Sequence, residues 1–307
     1  MRLGIDLGGT KIELVALGPG GDVIWRERVP TPKDDYEATI LALRDLVLRA
    51  EEQLGERGSV GVAIPGTVSA RTGLVKNANS TRLIGHPLDK DLATAIGRPV
   101  RVANDANCFA LSEATDGAGR GAPVVFGIIA GTGVGGGVVV DGRVIVGANA
   151  IAGEWGHNPL PQPSHDEIPG PHCYCGKRGC TEAWLSGPAL ARQFTEATGR
   201  TLIATEIADA AETGDAAARA IMQAYYDRFA RAVATVVNIL DPDVVVIGGG
   251  LSKIDALYRE LPERVMRYAF TPEGPTRVLK NVHGDSSGVR GAAWLWHADE
   301  RAEALGR

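Results

Sequence analysis

The chain has 307 residues, of which 44% are hydrophobic and 22% charged, as is usual for a globular protein with an ample core. Its formal net charge is −5 and its lysines and arginines are scattered, which argues against a nucleic-acid-binding surface. Asp6 interrupts any apolar leader, and the most apolar stretch, residues 124–140, is interrupted by glycines. We therefore expect a cytoplasmic protein with no membrane partner and no nucleic-acid partner.

The first half of the chain opens with two apolar, β-rich runs that meet at a glycine-containing turn, over residues 3–17. A helix is predicted from residue 36 to about 54, because its apolar residues fall on one face. The other predicted elements are strands at 23–28, 59–64 and 100–103 and a helix at 108–114. Asn104 and Asp105 directly follow the last of these strands, and the glycine-rich residues 117–121 mark a change in composition.

The second half repeats this opening with a pair of apolar runs around a glycine-rich turn, over residues 124–140. A long helix is predicted from about 216 to 240, ending before Asp241-Pro242 because a residue that precedes proline disfavours the helical conformation. A buried strand at 243–247 leads into residues 248–250, all glycine. Two more helices are expected, one opening at Leu251 with Ser252 and Asp255 at capping-box spacing, and one from 289 to about 296. The repetition predicts a duplicated α/β fold with two lobes and a cleft between them.

Both glycine-rich turns place Gly and Thr where two strands meet, so that backbone N–H groups can approach a polyphosphate without a Cβ in the way. The first turn lacks the spacing of a Walker A loop, and the second does not open a helix as a dinucleotide-binding turn does. Either turn alone could be an ordinary tight turn. The pair, with Lys11, favours a phosphotransferase that holds one nucleotide between two turns. Asp6, at the end of the first strand, is expected to hold Mg²⁺ through water.

Asp105 is the candidate catalytic residue. A carboxylate at this junction of strand and helix could accept the proton of a substrate hydroxyl as that hydroxyl attacks the γ-phosphate. The alternative is that Asp105 simply caps a helix that begins at Ala106, which aspartate often does. The two roles are compatible.

A cysteine-rich segment indicates a metal site. Cys173, Cys175 and Cys180 are three of the four cysteines in the chain and fall within eight residues, interleaved with glycines. They predict a structural, tetrahedral Zn²⁺ site whose fourth ligand is His157 or His172. A disulfide is the alternative, but nothing places the chain in an oxidising compartment.

Glu154 and Glu182 flank this segment, and a metal bound by His157 would fix the chain on which both lie. Their carboxylates could accept hydrogen bonds from sugar hydroxyls. The alternative is that both are solvated surface acids, which is the usual environment of glutamate.

Taken together, these motifs resemble those of the ROK family (repressors, open reading frames and sugar kinases), which has the actin-like, hexokinase-type ATPase fold. The resemblance covers essentially the whole chain. It is carried by residues 6–11, 104–107, 131–133, 154–157, 173–182 and 248–250. It implies ATP-dependent phosphorylation of a hexose on its C6 hydroxyl, with Mg²⁺ and a structural Zn²⁺, by a protein that forms a homodimer.

The resemblance also assigns roles to individual residues. Asp105 matches the catalytic base. The matching sugar contacts are Asn79, Asn104, Asp105, Glu154, His157 and Glu182. The expected nucleotide and Mg²⁺ contacts are Asp6, Gly8, Gly9, Thr10, Lys11, Gly131, Thr132, Gly133, Gly135, Gly248 and Gly249. The matching zinc ligands are His157, Cys173, Cys175 and Cys180. Residues 76–81, 154–161 and 283–291 are most similar to bacterial fructokinases, so fructose is the expected sugar, with N-acetylglucosamine, glucose and mannose as alternatives.

We expect a small lobe over residues 1–118, completed by a C-terminal helix at about 289–307, and a large lobe over 119–288 that carries the zinc-binding loop. A sugar-responsive transcriptional regulator is an alternative of another class. It is disfavoured because the first glycine turn lies too near the N-terminus to leave room for a helix-turn-helix domain. A catalytically inactive sugar sensor is a third possibility, against which the presence of Asp105 and Lys11 argues.

Overall fold

The computed structural model describes residues 1–33, 35–78 and 81–306. Asn79, a predicted sugar contact, lies outside the described residues. The strands in the described part are β1 (Arg2–Leu7), β2 (Lys11–Leu17), β3 (Val23–Pro30), β4 (Ser59–Ile64), β5 (Thr67–Val68), β6 (Val75–Lys76), β7 (Val100–Asn104), β8 (Val124–Ala130), β9 (Val134–Val140), β10 (Arg143–Val144), β11 (Val244–Gly248) and β12 (Arg277–Lys280). The helices there are α1 (Tyr36–Leu54), α2 (Leu88–Ile96), α3 (Asp105–Thr115), α4 (Thr181–Leu185), α5 (Gly187–Thr198), α6 (Ala204–Glu212), α7 (Ala216–Leu240), α8 (Ala256–Met266), α9 (Ser287–Ala293) and α10 (Arg301–Ala304).

Two five-stranded sheets share the same topology. The first has the strand order β3-β2-β1-β4-β7 and the second the order β10-β9-β8-β11-β12. In each sheet the first three strands in this order pair antiparallel with one another, and the last three pair parallel with one another. The predicted duplicated α/β fold is confirmed.

This topology decides where polar groups collect, because ligands of open α/β sheets bind beyond the carboxyl ends of the parallel strands. In the first sheet Gly8 follows β1, Gly66 follows β4 and Asp105 follows β7. In the second sheet Gly131 follows β8 and Gly249 follows β11. Most of the motifs found in the sequence therefore lie at one end of a sheet.

The regular elements with the strongest hydrophobic patterns have the predicted bounds. Helix α1 buries Ile40, Leu43 and Val47 against the first sheet, begins after the N-cap Asp35 and ends at Gly55, whose φ is +65°. Strand β4 and helix α7 also begin and end where the sequence predicts. No helix in the described ranges is both long enough and apolar enough to cross a bilayer.

The prediction of a helix that opens at Leu251 is wrong. Residues Gly250–Lys253 form a short 3₁₀ turn, and α8 begins only at Ala256. The Ser252 hydroxyl donates to the Gly249 carbonyl at 2.7 Å instead of capping a helix. The local capping pattern is overridden by the tight turn after β11, which the chain enters at Gly249 with a φ of +80°.

Helix α9 packs so closely that glycine is required on both of its faces. A Cβ at Gly61 of β4 would lie 1.9 Å from the carbonyl oxygen of Ala292. On the other side, a Cβ at Gly291 would lie 1.6 Å from the carbonyl oxygen of Cys108 in α3. Cys108 is fully buried, as expected for a core residue. Helix α9 is therefore packed tightly between the first sheet and α3.

A buried glutamate ties the other end of α3 to the chain before α9. Glu113 has no exposed surface and accepts hydrogen bonds from the Ser287 hydroxyl at 2.8 Å and the Val282 N–H at 3.1 Å. It also accepts one from the Ala118 N–H at 2.9 Å, just beyond the helix. One carboxylate thus satisfies donors from two distant segments.

We expect Glu113→Ala to lower the free energy of unfolding by about 3 kcal/mol or more, because each buried donor left without an acceptor costs roughly 1–3 kcal/mol. Urea denaturation measures this loss. Glu212→Ala is the matched control, since it removes an exposed ion pair with Arg259 and should cost no more than about 1 kcal/mol. Equal losses in the two variants would contradict the assigned role of Glu113.

Candidate active site

A cavity of about 310 Å³ is lined by residues of both halves of the chain. From the first half come Pro65, Gly66, Asn77, Asn104, Asp105 and Ala106. From the second half come Ile129, Gly131, Thr132, Gly133, Val134, Gly135, Gly136, Glu154, His157, Tyr174 and Glu182. The cavity therefore lies where the carboxyl ends of β4 and β7 meet the turn between β8 and β9.

The cavity brings together most of the predicted sugar contacts and one of the predicted nucleotide turns. The predicted residues that line it are Asn104, Asp105, Gly131, Thr132, Gly133, Gly135, Glu154, His157 and Glu182. The predicted residues that do not line it are Asp6, Gly8, Gly9, Thr10, Lys11, Gly248, Gly249, Cys173, Cys175 and Cys180.

Asn104 and Asp105 share the N-terminus of α3. Asn104 is the N-cap: its Oδ1 accepts from the Ala106 N–H at 2.9 Å, and its Nδ2 donates to the Gly66 carbonyl at 3.2 Å. Asp105 is the first helical residue, and its Oδ1 also accepts from the Ala106 N–H, at 2.8 Å. Because Asn104 caps the helix, Asp105 is held at the cavity without being needed as the cap.

The electrostatic environment of Asp105 favours proton acceptance. Burial raises the pKa of Asp105, the hydrogen bond from Ala106 opposes this, and the charge of Glu154 raises the pKa further. Asp6 is a second acid with a shifted pKa, and the charge of Asp105 acts on it. Its pKa is raised to about 6, first by burial and then by the charges of Asp105 and Glu13, while Lys11 acts in the opposite direction. A carboxylate with a raised pKa is a better general base near neutral pH than an ordinary aspartate.

The turn between β1 and β2 is held from one side. The Gly8 N–H donates to the Lys11 carbonyl at 3.0 Å, which closes the turn. Thr31 then binds the turn twice, with its hydroxyl on the Gly8 carbonyl at 2.9 Å and its N–H on the Thr10 carbonyl at 3.0 Å. Gly9, Thr10 and Lys11 are exposed. The turn is thus anchored, with its tip open to solvent.

The turn between β8 and β9 adjoins two other predicted motifs. Its Gly131 N–H donates to the Gly133 carbonyl at 2.9 Å, and a Cβ at Gly131 would lie 3.6 Å from the Gly250 nitrogen. On its other side, Glu182 Oε2 accepts from the Val134 N–H at 2.9 Å. This turn therefore lies next to the glycines at 248–250 and is bonded to Glu182, a carboxylate that lines the cavity.

Four side chains form a compact cluster that could hold a metal ion: His157, Cys173, Cys175 and Cys180. One ligand atom from each lies within 4.8 Å of all the others. Cys173 Sγ lies 3.6 Å from His157 Nδ1, and Cys175 Sγ lies 3.6 Å from Cys180 Sγ, without a disulfide. Such spacings fit donors around a tetrahedral Zn²⁺, whose bonds to nitrogen and sulfur are about 2.0–2.3 Å long. Of the two candidate histidines, His157 joins the cysteines and His172 does not.

The cluster sits between the two segments that carry cavity carboxylates. Glu154 directly precedes the 3₁₀ turn Trp155–His157, and Glu182 lies in α4, which begins directly after Cys180. The two segments are also bonded to each other, since the N–H and hydroxyl of Thr181 both donate to the Asn158 carbonyl, at 2.8 and 3.2 Å. A metal at the cluster would therefore fix both carboxylates relative to each other.

Several lining residues were not predicted from the sequence, among them Gly66, Asn77 and Tyr174. Gly66 has a φ of +108°, and a Cβ there would lie 2.7 Å from the Lys76 carbonyl oxygen. Its position two residues after a buried strand, behind Pro65, was an available signal. Asn77 also has a positive φ, of +55°. Tyr174 lies between two cluster cysteines, and an aromatic residue at that place was a signal as well.

Comparison with known proteins agrees with this geometry. The model of the ROK family matches residues 2–299. The chain is 43% identical over 304 residues to an N-acetyl-D-glucosamine kinase of Yersinia pseudotuberculosis serotype O:1b (strain IP 31758), covering 98% of this chain and 100% of that protein. The structure is similar to that of a ROK hexokinase from Thermus thermophilus, with a TM-score of 0.84, 35% identity and coverage of 96% and 97% of the two chains.

A ROK glucokinase from Streptomyces griseus, solved in complex with glucose and AMPPNP, is also similar. Its TM-score is 0.74 at 28% identity, with coverage of 95% of this chain and 97% of that one. The expected special likeness to fructokinases finds no support in these relatives, whose names refer to N-acetyl-D-glucosamine, hexose and glucose. A family match that spans residues 2–299, with a sugar kinase aligned along its whole length, shows that the chain belongs to the ROK family and is a sugar kinase.

Proposed function

We propose that this protein is an ATP-dependent N-acetyl-D-glucosamine kinase that phosphorylates the 6-hydroxyl of the sugar. The observation that carries the proposal is the end-to-end likeness, at 43% identity, to the Yersinia N-acetyl-D-glucosamine kinase. This likeness favours N-acetylglucosamine, an alternative in the sequence analysis, over fructose, which was the sugar expected there.

Asp105 is the proposed general base. As the 6-oxygen forms a bond to the γ-phosphorus of ATP, the hydroxyl proton moves to the Asp105 carboxylate and the bond from phosphorus to the ADP oxygen breaks. Two observations support this role. Burial and the charge of Glu154 raise the pKa of Asp105, and Asn104 holds the start of α3 through the Gly66 carbonyl.

The nucleotide is proposed to bind across the glycine turns. The backbone of Gly131, Thr132, Gly133 and Gly135 would cradle phosphates on the cavity side, next to Gly248 and Gly249. On the other side, Gly8, Gly9, Thr10 and Lys11 offer an exposed turn with a cationic side chain. Asp6, whose pKa responds to the charges of both Lys11 and Asp105, is the proposed contact for Mg²⁺, which would neutralise phosphate charge when bound.

The sugar is proposed to contact Asn104, Glu154 and Glu182 through hydrogen bonds and His157 through its ring; all four residues line the cavity. Asn79 is the further contact expected from the family. Structural Zn²⁺ would be held by His157, Cys173, Cys175 and Cys180, and its part would be to fix the segments that carry Glu154 and Glu182.

The proposal predicts that the highest kcat/KM in a coupled assay of ADP release belongs to N-acetylglucosamine, among N-acetylglucosamine, fructose, glucose and mannose. The measurement needs only the purified protein with Mg²⁺ and ATP. Assays without sugar provide the control for ATP hydrolysis. A higher kcat/KM for fructose or glucose than for N-acetylglucosamine would refute the substrate assignment.

The pKa of Asp105 predicts an acid limb in kcat at saturating sugar and MgATP. Activity should fall as pH decreases, because Asp105 must be unprotonated to accept the proton, and the fall should begin above the range of an ordinary aspartate. Glu154→Gln should move this limb to lower pH, because it removes a negative charge that raises the pKa of Asp105.

Glu182→Gln is the matched control for this shift, because Glu182 lines the same cavity but is not among the main groups that shift the pKa of Asp105. Its acid limb should coincide with that of the parent enzyme. A limb that stays in place in Glu154→Gln, or moves to higher pH, would contradict the electrostatic assignment.

A further inference from the structure

Tyr174 is an exposed aromatic residue at the wall of the cavity. Its side chain is 76% exposed, yet it lines the cavity with Asp105 and Glu154. Its hydroxyl lies 3.1 Å from His157 Nε2, and the two rings meet edge to face with their centroids 5.2 Å apart. The ring is therefore oriented by His157 while most of its surface remains free to contact a ligand.

The backbone under this ring is held in a tight turn. Cys173 and Cys175, on either side of Tyr174, both belong to the cluster that could hold a metal ion. The Cys173 N–H donates to the Lys177 carbonyl at 2.9 Å, and the Gly176 N–H donates to the Cys173 carbonyl at 3.0 Å. A side chain presented by such a turn is pre-organised for recognition, because little conformational entropy is lost when a ligand binds.

The hydroxyl of Tyr174 has a proton to offer. When Nδ1 of a histidine faces a metal, the other ring nitrogen carries the proton and acts as a donor. In His157, Nε2 would then donate to the Tyr174 oxygen, which leaves the Tyr174 O–H as a donor toward the cavity. Tyr174 therefore presents an apolar ring face together with a hydrogen-bond donor.

Asp105 and Tyr174 come from different walls of the cavity. Asp105 lies at the start of α3, after the first sheet, whereas Tyr174 belongs to the cysteine-rich turn. In a pyranose ring the C2 carbon lies directly across from C5, the carbon that bears C6. A sugar whose 6-hydroxyl meets Asp105 therefore directs its C2 substituent away from that residue and toward another part of the lining, to which the cysteine-rich turn contributes Tyr174.

We propose that Tyr174 is a specificity-determining residue that contacts the substituent on C2 of the sugar, with its ring on the acetyl methyl group and its hydroxyl donating to the acetamido carbonyl. This inference rests on the proposed N-acetylglucosamine kinase function. A hydroxyl group on C2, as in glucose, offers neither the methyl group nor the carbonyl oxygen. Tyr174 would thus favour the acetamido sugar over glucose.

The test compares Tyr174→Phe and Tyr174→Ala with the parent enzyme by kcat/KM for N-acetylglucosamine and for glucose. Loss of a hydrogen bond and an aromatic contact should lower the ratio of the two constants by several-fold in Tyr174→Phe and about tenfold or more in Tyr174→Ala. The change should lie mainly in KM for N-acetylglucosamine. Lys177→Ala, an exposed change in the same turn, is the control and should leave the ratio unaltered.

Zinc content, measured on each variant, separates recognition from damage to the turn, because all four cluster side chains are retained. If Tyr174→Ala binds less zinc than the parent, Tyr174→Phe decides the question, since it keeps the ring. A ratio within about twofold of the parent value in a variant with full zinc content would overturn the inference, because the lost hydrogen bond alone should exceed that change.

Failure of the proposed function gives a different result. A parent enzyme that prefers glucose would refute N-acetylglucosamine as the substrate, and the inference would then be decided by the ratio of glucose to mannose, which differ only in configuration at C2. A change of that ratio in Tyr174→Ala supports a contact at C2. An unchanged ratio overturns it.

Discussion

Close packing around α3 is the constraint on which the site depends. Glycines of the second sheet make room for this helix: a Cβ at Gly137 would lie 2.6 Å from the Ala106 carbonyl oxygen, and one at Gly127 would lie 2.7 Å from the Ala110 Cβ. On another side, Gly291 of α9 lies against the carbonyl of Cys108. The helix that presents Asp105 is thus fixed by backbone contacts to both halves of the fold. Its position leaves little freedom for the carboxylate, as pre-organised catalysis requires.

The part of the cavity that carries Glu154 and Glu182 is held together by the cysteine-rich turn. Its three cysteines and His157 join segments that carry Glu154 and Glu182, while Glu182 is bonded in turn to the N–H of Val134. The same few residues therefore link the proposed sugar contacts to the proposed phosphate turn. A metal held by these four side chains would therefore act on the proposed sugar contacts by fixing their segments, without touching the reacting atoms.

The features that could be predicted from the sequence are those whose residues repeat or lie close together along the chain. The duplicated fold follows from two similar openings, and the metal cluster from three closely spaced cysteines, whereas Tyr174 could be understood only when its hydroxyl was found beside His157. The capping pattern at Ser252 failed because a local signal competes with the tertiary turn after β11. The expected preference for fructose finds no support in the names of the relatives. Substrate choice depends on a few cavity contacts and not on the motifs that define the family.

The central claim is that Asp105 accepts the proton of the sugar hydroxyl. Its most direct test is Asp105→Asn, assayed for kcat alongside sugar binding by calorimetry, with the change of a half-exposed residue, Asp45→Asn on α1, as control. The account predicts that kcat falls by about 10²–10⁴-fold while the sugar still binds, because the amide keeps the shape of the side chain but cannot take the proton. A kcat close to that of the parent enzyme would contradict it.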